Sequence, residues 1–258
     1  MSPTAPSLAR TYSDREYSDP WEKVLDYRRV REYAADHPKH GRTRVGNALD
    51  LPPSRVRGWL NGGMPDPVRG VQTAIDHGWI DPDPDGDVAA ALVELLAHVL
   101  AGGSITSRTF VPAVTTGRRV GLEEVRDAFE RVGVETVVRR ADDENRATEV
   151  IPTADGSVLG RCLVTMGAPA GEKIALDSFP SIVWEVPRAV RESFARIYVD
   201  HRGTGYSEKQ TMAIQEERSA EYLEGLRGLL ADVTGQPVTA GGRQVTISAA
   251  AVRELGAA

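Results

Sequence analysis

Cysteine is nearly absent: Cys162 is the single one in 258 residues. One thiol can form no internal disulfide and no cysteine-based zinc site. Lysine is scarce too, at four of 31 basic residues, so arginine carries almost all of the positive charge. No run of eighteen apolar residues occurs, and without one a membrane-spanning helix is not expected. The first residues lack the basic, apolar and small-residue succession of a secretory signal, so the cytoplasm is the expected compartment. What the chain does have is a hydrophobic content of 41%, enough for a packed core in one or two domains.

The net charge of −6 looks unsuited to an anionic partner, but it is unevenly spread. Residues 21–80 carry ten bases and seven acids, and within 37–60 five bases stand against one acid. Residues 81–87 hold four acids and no base, and the remainder holds nineteen bases and 23 acids. A basic front followed by an acidic remainder directs any nucleic-acid contact to the front.

In chain order, residues 1–20 mix Ser, Thr, Pro and Tyr without periodicity and read as a disordered tail. Apolar residues from Trp21 to Ala34 recur at three and four, which predicts a helix ended by His37-Pro38. Thr43–Leu49 predicts a short helix with Val45, Ala48 and Leu49 inward. Asp50-Leu51-Pro52-Pro53 breaks it, and Ser54 is the expected N-cap of a helix from Arg55 to Asn61. Val56, Trp59 and Leu60 are its apolar face, Gly62-Gly63 stops it, and residues 64–80 close the module. Two short helices around a tight turn resemble a helix-turn-helix, with 54–61 as the recognition helix. The resemblance implies double-stranded DNA as partner and residues 21–80 as the DNA-binding domain. Ser54, Arg55, Arg57 and Asn61 would face base edges, since arginine and asparagine read guanine and adenine. Lys39, Arg42 and Arg44 would hold phosphates. An ordinary helical hairpin with solvated charges is the alternative.

Residues 81–87 read as an acidic, proline-rich linker. Their spacing lacks the twelfth-position Glu of a calcium loop, so no metal is expected there. Beyond it one plan occurs twice, at about 88–166 and 187–258. Val88–Ala101 is almost wholly apolar, hence buried on most faces, and it stops at Gly102-Gly103. Phe194–His201 repeats the ending, with Gly203 a hundred residues after Gly103. A strand segment, a helix, two strands and a helix follow each copy.

Both stretches resemble the signature helix of the LAGLIDADG homing endonucleases, and residues 167–184 are similar to the segment that precedes the second such helix. The resemblance implies an α+β fold: a small all-α helix-turn-helix domain, then a pseudo-twofold saddle of αββαββα type over 88–258. It also implies a metal-binding acid beside the terminal glycine of each copy. Those positions hold Gly102 and Arg202. Asp200 lies about 200° round the helix from 202 and is a poor substitute. No catalytic residue, metal or cofactor is therefore expected. Ile197 at the place matching Ala97 implies a wider helix crossing. His98 and His201 have no partner at ligand spacing and read as packing or solvated residues, and Cys162 as a buried small hydrophobe. A sheet laid on DNA would use Arg108, Arg140, Arg146, Lys209 and Arg243. Solvated strand charges are the equal alternative, because the local net charge is negative.

The combination is similar to bacterial sporulation regulators that join a degenerate LAGLIDADG domain to a helix-turn-helix, with the order reversed here. The expectation is a sequence-specific DNA-binding transcriptional regulator, not an enzyme, working as monomer or homodimer with DNA and other transcription proteins. The alternatives are a Mg²⁺-dependent nuclease with displaced acids, and a protein-binding scaffold that ignores DNA.

Overall fold

The computed structural model describes residues 1–141, 143, 146–205 and 210–256. The chain divides into two compact units, one of Thr4–Asp76 and one of Met1–Pro3 with His77–Ala258. No helix among the described residues is long and apolar enough to cross a membrane.

The smaller unit holds α1 (Ala5–Ala9), α2 (Pro20–Asp36), α3 (Arg42–Leu49), α4 (Pro53–Leu60) and α5 (Asp66–Asp76). Val30, Val45, Val56 and Trp59 form its core, covered by Tyr27, Tyr33, Leu49, Leu51 and Leu60. The turn between α3 and α4 depends on Gly46. A Cβ there would stand 2.6 Å from the Leu51 carbonyl oxygen, while the Leu51 N–H donates to Gly46 O at 2.9 Å. Asp50 closes α3 in the left-handed region, at φ 56°.

Three expectations for this part of the chain are corrected. Residues 1–20 are not a disordered tail: Thr4 and Ser7 form a capping box, Leu8 and Ala9 are fully buried, and Asp19 caps α2. Two buried side chains and local caps suffice to order a short polar segment, and composition does not reveal them. Ser54 is not an N-cap. Pro52 holds that place and Pro53 opens α4, where its missing N–H costs nothing. Ala48, expected inward, is exposed.

The unit boundary also moves. Trp79 has no exposed surface and its indole N–H donates to Val132 O at 2.9 Å, so residues 77–80 belong to the larger unit. Residues 81–86 leave Asp81, Asp83, Pro84 and Asp85 exposed but are held locally: the Asp81 N–H donates to Pro3 O at 2.8 Å, and Asp83 Oδ1 accepts the Asp85 N–H at 3.1 Å. Asp87 is already helical, a carboxylate where a helix N-terminus favours one.

In the larger unit the first half runs α6 (Asp87–Gly102), β1 (Gly103–Ile105), β2 (Pro112–Thr115), α7 (Leu122–Arg131), β3 (Thr136–Arg139), β4 (Glu149–Pro152) and α8 (Gly156–Thr165). The second runs α9 (Arg188–Arg202), β5 (Gly203–Gly205), β6 (Met212–Gln215), α10 (Ala220–Thr234), β7 (Val238–Gly241), β8 (Gln244–Ile247) and α11 (Ala249–Glu254). The two antiparallel sheets share one strand order, β1-β2-β4-β3 and β5-β6-β8-β7, and α6 packs along α9. This is the α+β, internally repeated architecture expected of a degenerate LAGLIDADG-like domain.

The strands differ in detail from expectation. The segment 104–115 is two strands joined by residues 106–111. In the second half β6 begins at Met212 and β5 stands ahead of it, with residues 206–209 outside the described residues. Gly-Thr-Gly has little intrinsic strand preference; pairing with Met212–Ile214 makes it one. Residues Leu95–Ala101 of α6 are all buried, and α9 buries Phe194, Ala195, Ile197, Tyr198 and Val199. At their C-terminal ends the helices meet directly, despite Ile197: His98 Nδ1 lies 2.9 Å from His201 Nε2.

Candidate nucleic-acid interface

At 100° per residue, Ser54, Arg57, Gly58 and Asn61 fall on one side of α4, opposite buried Val56 and Trp59. All four are exposed. A Cβ on Gly58 would meet nothing within 4 Å, so a ligand can approach the backbone there. Lys39, Arg42 and Arg44 are exposed around the start of α3, whose N-cap, Gly41, supplies no side-chain hydrogen bond. Among the described residues, Lys39, Arg42, Arg44 and Arg57 form no ion pair. Elsewhere in this unit several bases are paired with acids, Arg10 with Asp19, Lys23 with Asp14, Arg29 with Asp26 and Arg69 with Asp66, while Arg15, Arg28 and Arg31 are exposed and Arg31 donates to Trp59 O at 3.5 Å.

Arg55 does not share the exposed face. Its Nη1–H donates to the Tyr17 hydroxyl at 3.0 Å, its Nε lies 3.3 Å from Glu16 Oε2, and its guanidinium stands 4.6 Å from the Tyr17 ring centre. Tyr17 in turn donates to Asp26 at 2.8 Å, and burial together with Asp26 pushes its pKa up to about 12. Arg55 therefore ties the N-terminal segment to α4. Periodicity gives Arg55 and Arg57 equal standing; the fold of residues 14–17 separates them.

The arginines expected on the sheets lie in connections. Arg108 is exposed between β1 and β2, Arg140 and Arg146 lie between β3 and β4, and Arg243 sits in the β7–β8 turn. Lys209 lies outside the described residues. Arg140, at φ 61°, pairs with Glu149. Arg146 Nε lies 4.0 Å from Asp143, and Arg243 donates to Glu217 at 2.9 Å. Within the strands, Val114, Val150, Ile214, Val245 and Ile247 are fully buried. Alternation turns Thr115, Val137, Arg139 and Glu149 outward in one sheet, and Thr204, Gln215, Thr239 and Thr246 in the other. Among the described strand positions Arg139 is the one outward base; it stands opposite Glu149 in the register, whose carboxylate pairs with Arg140.

At the helix ends, Gly102 offers no ligand, and a Cβ there would stand 2.1 Å from His201 Nδ1. His98 and His201, expected to be without partners, are each other's partner. Burial, helped by His201, pushes His98 down to about 3. Burial, Lys173 and Arg202 push His201 down to about 4. Arg202 Nε–H donates to Glu216 Oε1 at 3.1 Å and its Nη2–H to Gln215 O at 3.0 Å. Glu216 is only 5% exposed. It also accepts from the Tyr198 hydroxyl at 2.7 Å and lies 3.5 Å from Arg218 Nε.

The helix-terminal carbonyls are met by cations in a crossed pattern. Arg218, from the second half, donates to Leu100 O at 2.6 Å, joined by Lys173 Nζ at 2.8 Å. Arg119, from the first half, donates to Val199 O at 2.8 Å and Gly203 O at 2.6 Å. Helix C-termini favour cations, and these side chains satisfy carbonyls that the helices leave unpaired. Arg119 Nε also lies 3.4 Å from Asp200 Oδ1.

A divalent ion of the homing-endonuclease kind requires hard oxygen ligands, and the residues here do not fit one. Position 102 has no side chain, position 202 is a cation, Asp200 faces Arg119, and Glu216 is taken by two donors and by its ion pair with Arg218. Among the described residues no group of three His, Cys, Asp or Glu could hold a metal. Arg119, Lys173, Glu216 and Arg218 escape sequence reasoning. The available signal is the charged run after the second strand of each half, Arg118-Arg119 and Glu216-Glu217-Arg218.

No protein-family model matches this chain, and no curated protein does. Solved structures similar to it include two of DUF199/WhiA. One is full-length DUF199/WhiA from Thermatoga maritima, at 14% identity over 67% of this chain and 57% of that one, with a TM-score of 0.43. The other is the N-terminal LAGLIDADG domain of DUF199/WhiA, at 14% identity over 68% of this chain and 85% of that one, with a TM-score of 0.40. The chain thus spans 57% of the length of the full-length protein it matches.

Proposed function

We propose that this protein is a sequence-specific duplex-DNA binder that regulates transcription and does not cut DNA. The observation that carries the reading is the division of charge in the smaller unit. Lys39, Arg42, Arg44 and Arg57 are exposed without acid partners on α3, α4 and the turn before them, while Arg10, Lys23, Arg29 and Arg69 are paired with acids. In this reading α4 enters the major groove as the second helix of a helix-turn-helix. Arg57 and Asn61 meet base edges, Ser54 and Gly58 permit close approach, and Lys39, Arg42 and Arg44 hold phosphates.

In the same reading the larger unit is a former nuclease fold without nuclease chemistry, since Gly102 and Arg202 supply no carboxylate. Among the described residues its outward strand positions carry one base, Arg139, and contact with other transcription proteins is part of this reading. The α6–α9 pairing lies within one chain, so a monomer is sufficient, and the cytoplasm is the proposed compartment. Duplex binding measured against salt tests the reading. A linear fall of log K with log salt, together with tighter binding to one sequence than to unrelated duplex, supports it. Salt-independent or absent binding at low ionic strength overturns it and leaves the scaffold alternative.

A further inference from the structure

A cleft of about 440 Å³ opens at the end of α9, lined by His201, Arg202, Thr204, Gly205, Ala213 and Gln215. Thr204 and Ala213 are register partners, and Gln215 follows two residues on, so the three project from the same outward face of the second sheet. The lining supplies a guanidinium, a hydroxyl and an amide, and no carboxylate. Behind the cleft, Arg202 and Arg218 share the one carboxylate of Glu216, with Lys173 bonded to the same Leu100 carbonyl as Arg218. Arg218 is 2% exposed in its side chain, and its Nε and Nη1 are buried without a hydrogen bond. Cations therefore outnumber the acid in this cluster.

We propose that the cleft binds a phosphate-type oxyanion, with Arg202 as its charged donor and Thr204 and Gln215 as neutral ones. Charge-assisted bonds from a guanidinium suit tetrahedral oxyanions. The local field agrees: Lys173 is pushed down to about 7 by burial, then by Arg218, with Glu216 opposing and Arg202 adding. His201 is held down by burial and then by Lys173 and Arg202. An anion in the cleft relieves this surplus of positive charge. The anion is either free phosphate or a backbone phosphate of nucleic acid, and both present the same oxygens. The free-phosphate arm below does not depend on the DNA-reading face of α4.

Calorimetric titration of the full chain with inorganic phosphate at constant ionic strength is the first arm. A short duplex, added to a chain carrying Arg42→Ala, Arg44→Ala and Arg57→Ala, is the second. Saturable binding of phosphate, weakened at least about tenfold by Arg202→Gln, supports a site for a free oxyanion. Binding in the duplex arm alone, with the same loss, assigns the cleft to nucleic acid. Gln215→Glu is the companion variant: it puts a carboxylate in the cleft from an exposed strand position and leaves the Arg202–Glu216 pair intact. It should abolish binding in whichever arm shows it. No binding in either arm, or binding untouched by Gln215→Glu, overturns the proposal.

Discussion

Two sets of arginines, one in each unit, are used in opposite ways. In the smaller unit, Arg42, Arg44 and Arg57 are exposed without ion pairs. In the larger one, Arg119 and Arg218 turn inward onto the carbonyls of Val199 and Leu100. A free guanidinium offers its full charge to a ligand; one bonded to a helix terminus has little left to give. The overall charge of −6 consequently says little about affinity for an anion, because it adds cations already occupied to cations still available.

Substitutions can break this contrast. The largest effect is expected at Glu216. Removing its carboxylate with Glu216→Ala leaves Arg218 buried beside Tyr198 and Tyr222, and breaking such a pair typically costs about 3–5 kcal/mol. Chemical denaturation should show the loss. DNA affinity of the folded fraction should hold, and a parallel loss of affinity would merge the two roles kept apart above.

Next is Gly102. Gly102→Ala drives a methyl into the His201 ring and should cost about 1–3 kcal/mol by overpacking. In a His201→Ala background most of that cost should vanish. A double-mutant cycle showing simple additivity would remove His201 as the reason for glycine.

Arg57→Ala should weaken specific DNA binding by about 1–3 kcal/mol and relax the preference at one base position, while moving stability by no more than about 0.5 kcal/mol. Arg55→Ala is its counterpart. It should lower the urea midpoint, because it releases Tyr17 and Glu16 from α4. If Arg55→Ala and Arg57→Ala weaken binding alike with no change in stability, the distinction between them is wrong.

The histidine pair gives a pH dependence. Both rings are held below the ordinary value near 6.5, at about 3 for His98 and about 4 for His201. The unfolded chain therefore takes up protons that the fold refuses. The contribution is fully present above about pH 6.5 and is lost as pH falls toward 4 and then 3. His98→Gln should flatten the dependence of the denaturation midpoint across that window. The smallest effect is expected from Arg42→Ala, which should weaken binding evenly across sequences and reduce the salt slope by about 0.9 for one lost phosphate contact.

The long-range plan was legible in the sequence where apolar runs were long. The α6 pattern, its stop at Gly102-Gly103 and the echo at Gly203 point to paired helices that the structure places side by side. Short elements were less legible. Residues 5–9 form a helix around two buried side chains, and β5 is Gly-Thr-Gly, whose pairing rather than its composition makes it a strand. The α4 face was half legible. Helical spacing finds Arg57 and Asn61, but only the folded position of Tyr17 withdraws Arg55. The crossed arginines were invisible, since they depend on which half of the chain each side chain reaches.

That crossing binds the fates of the halves. Arg119 completes a helix built 80 residues later, and Arg218 one built 118 residues earlier. Severed between Trp184 and Arg188, either fragment would present a helix end without its crossing arginine and an arginine without its acceptor. A change at either arginine is therefore felt at the helix end of the other repeat as well.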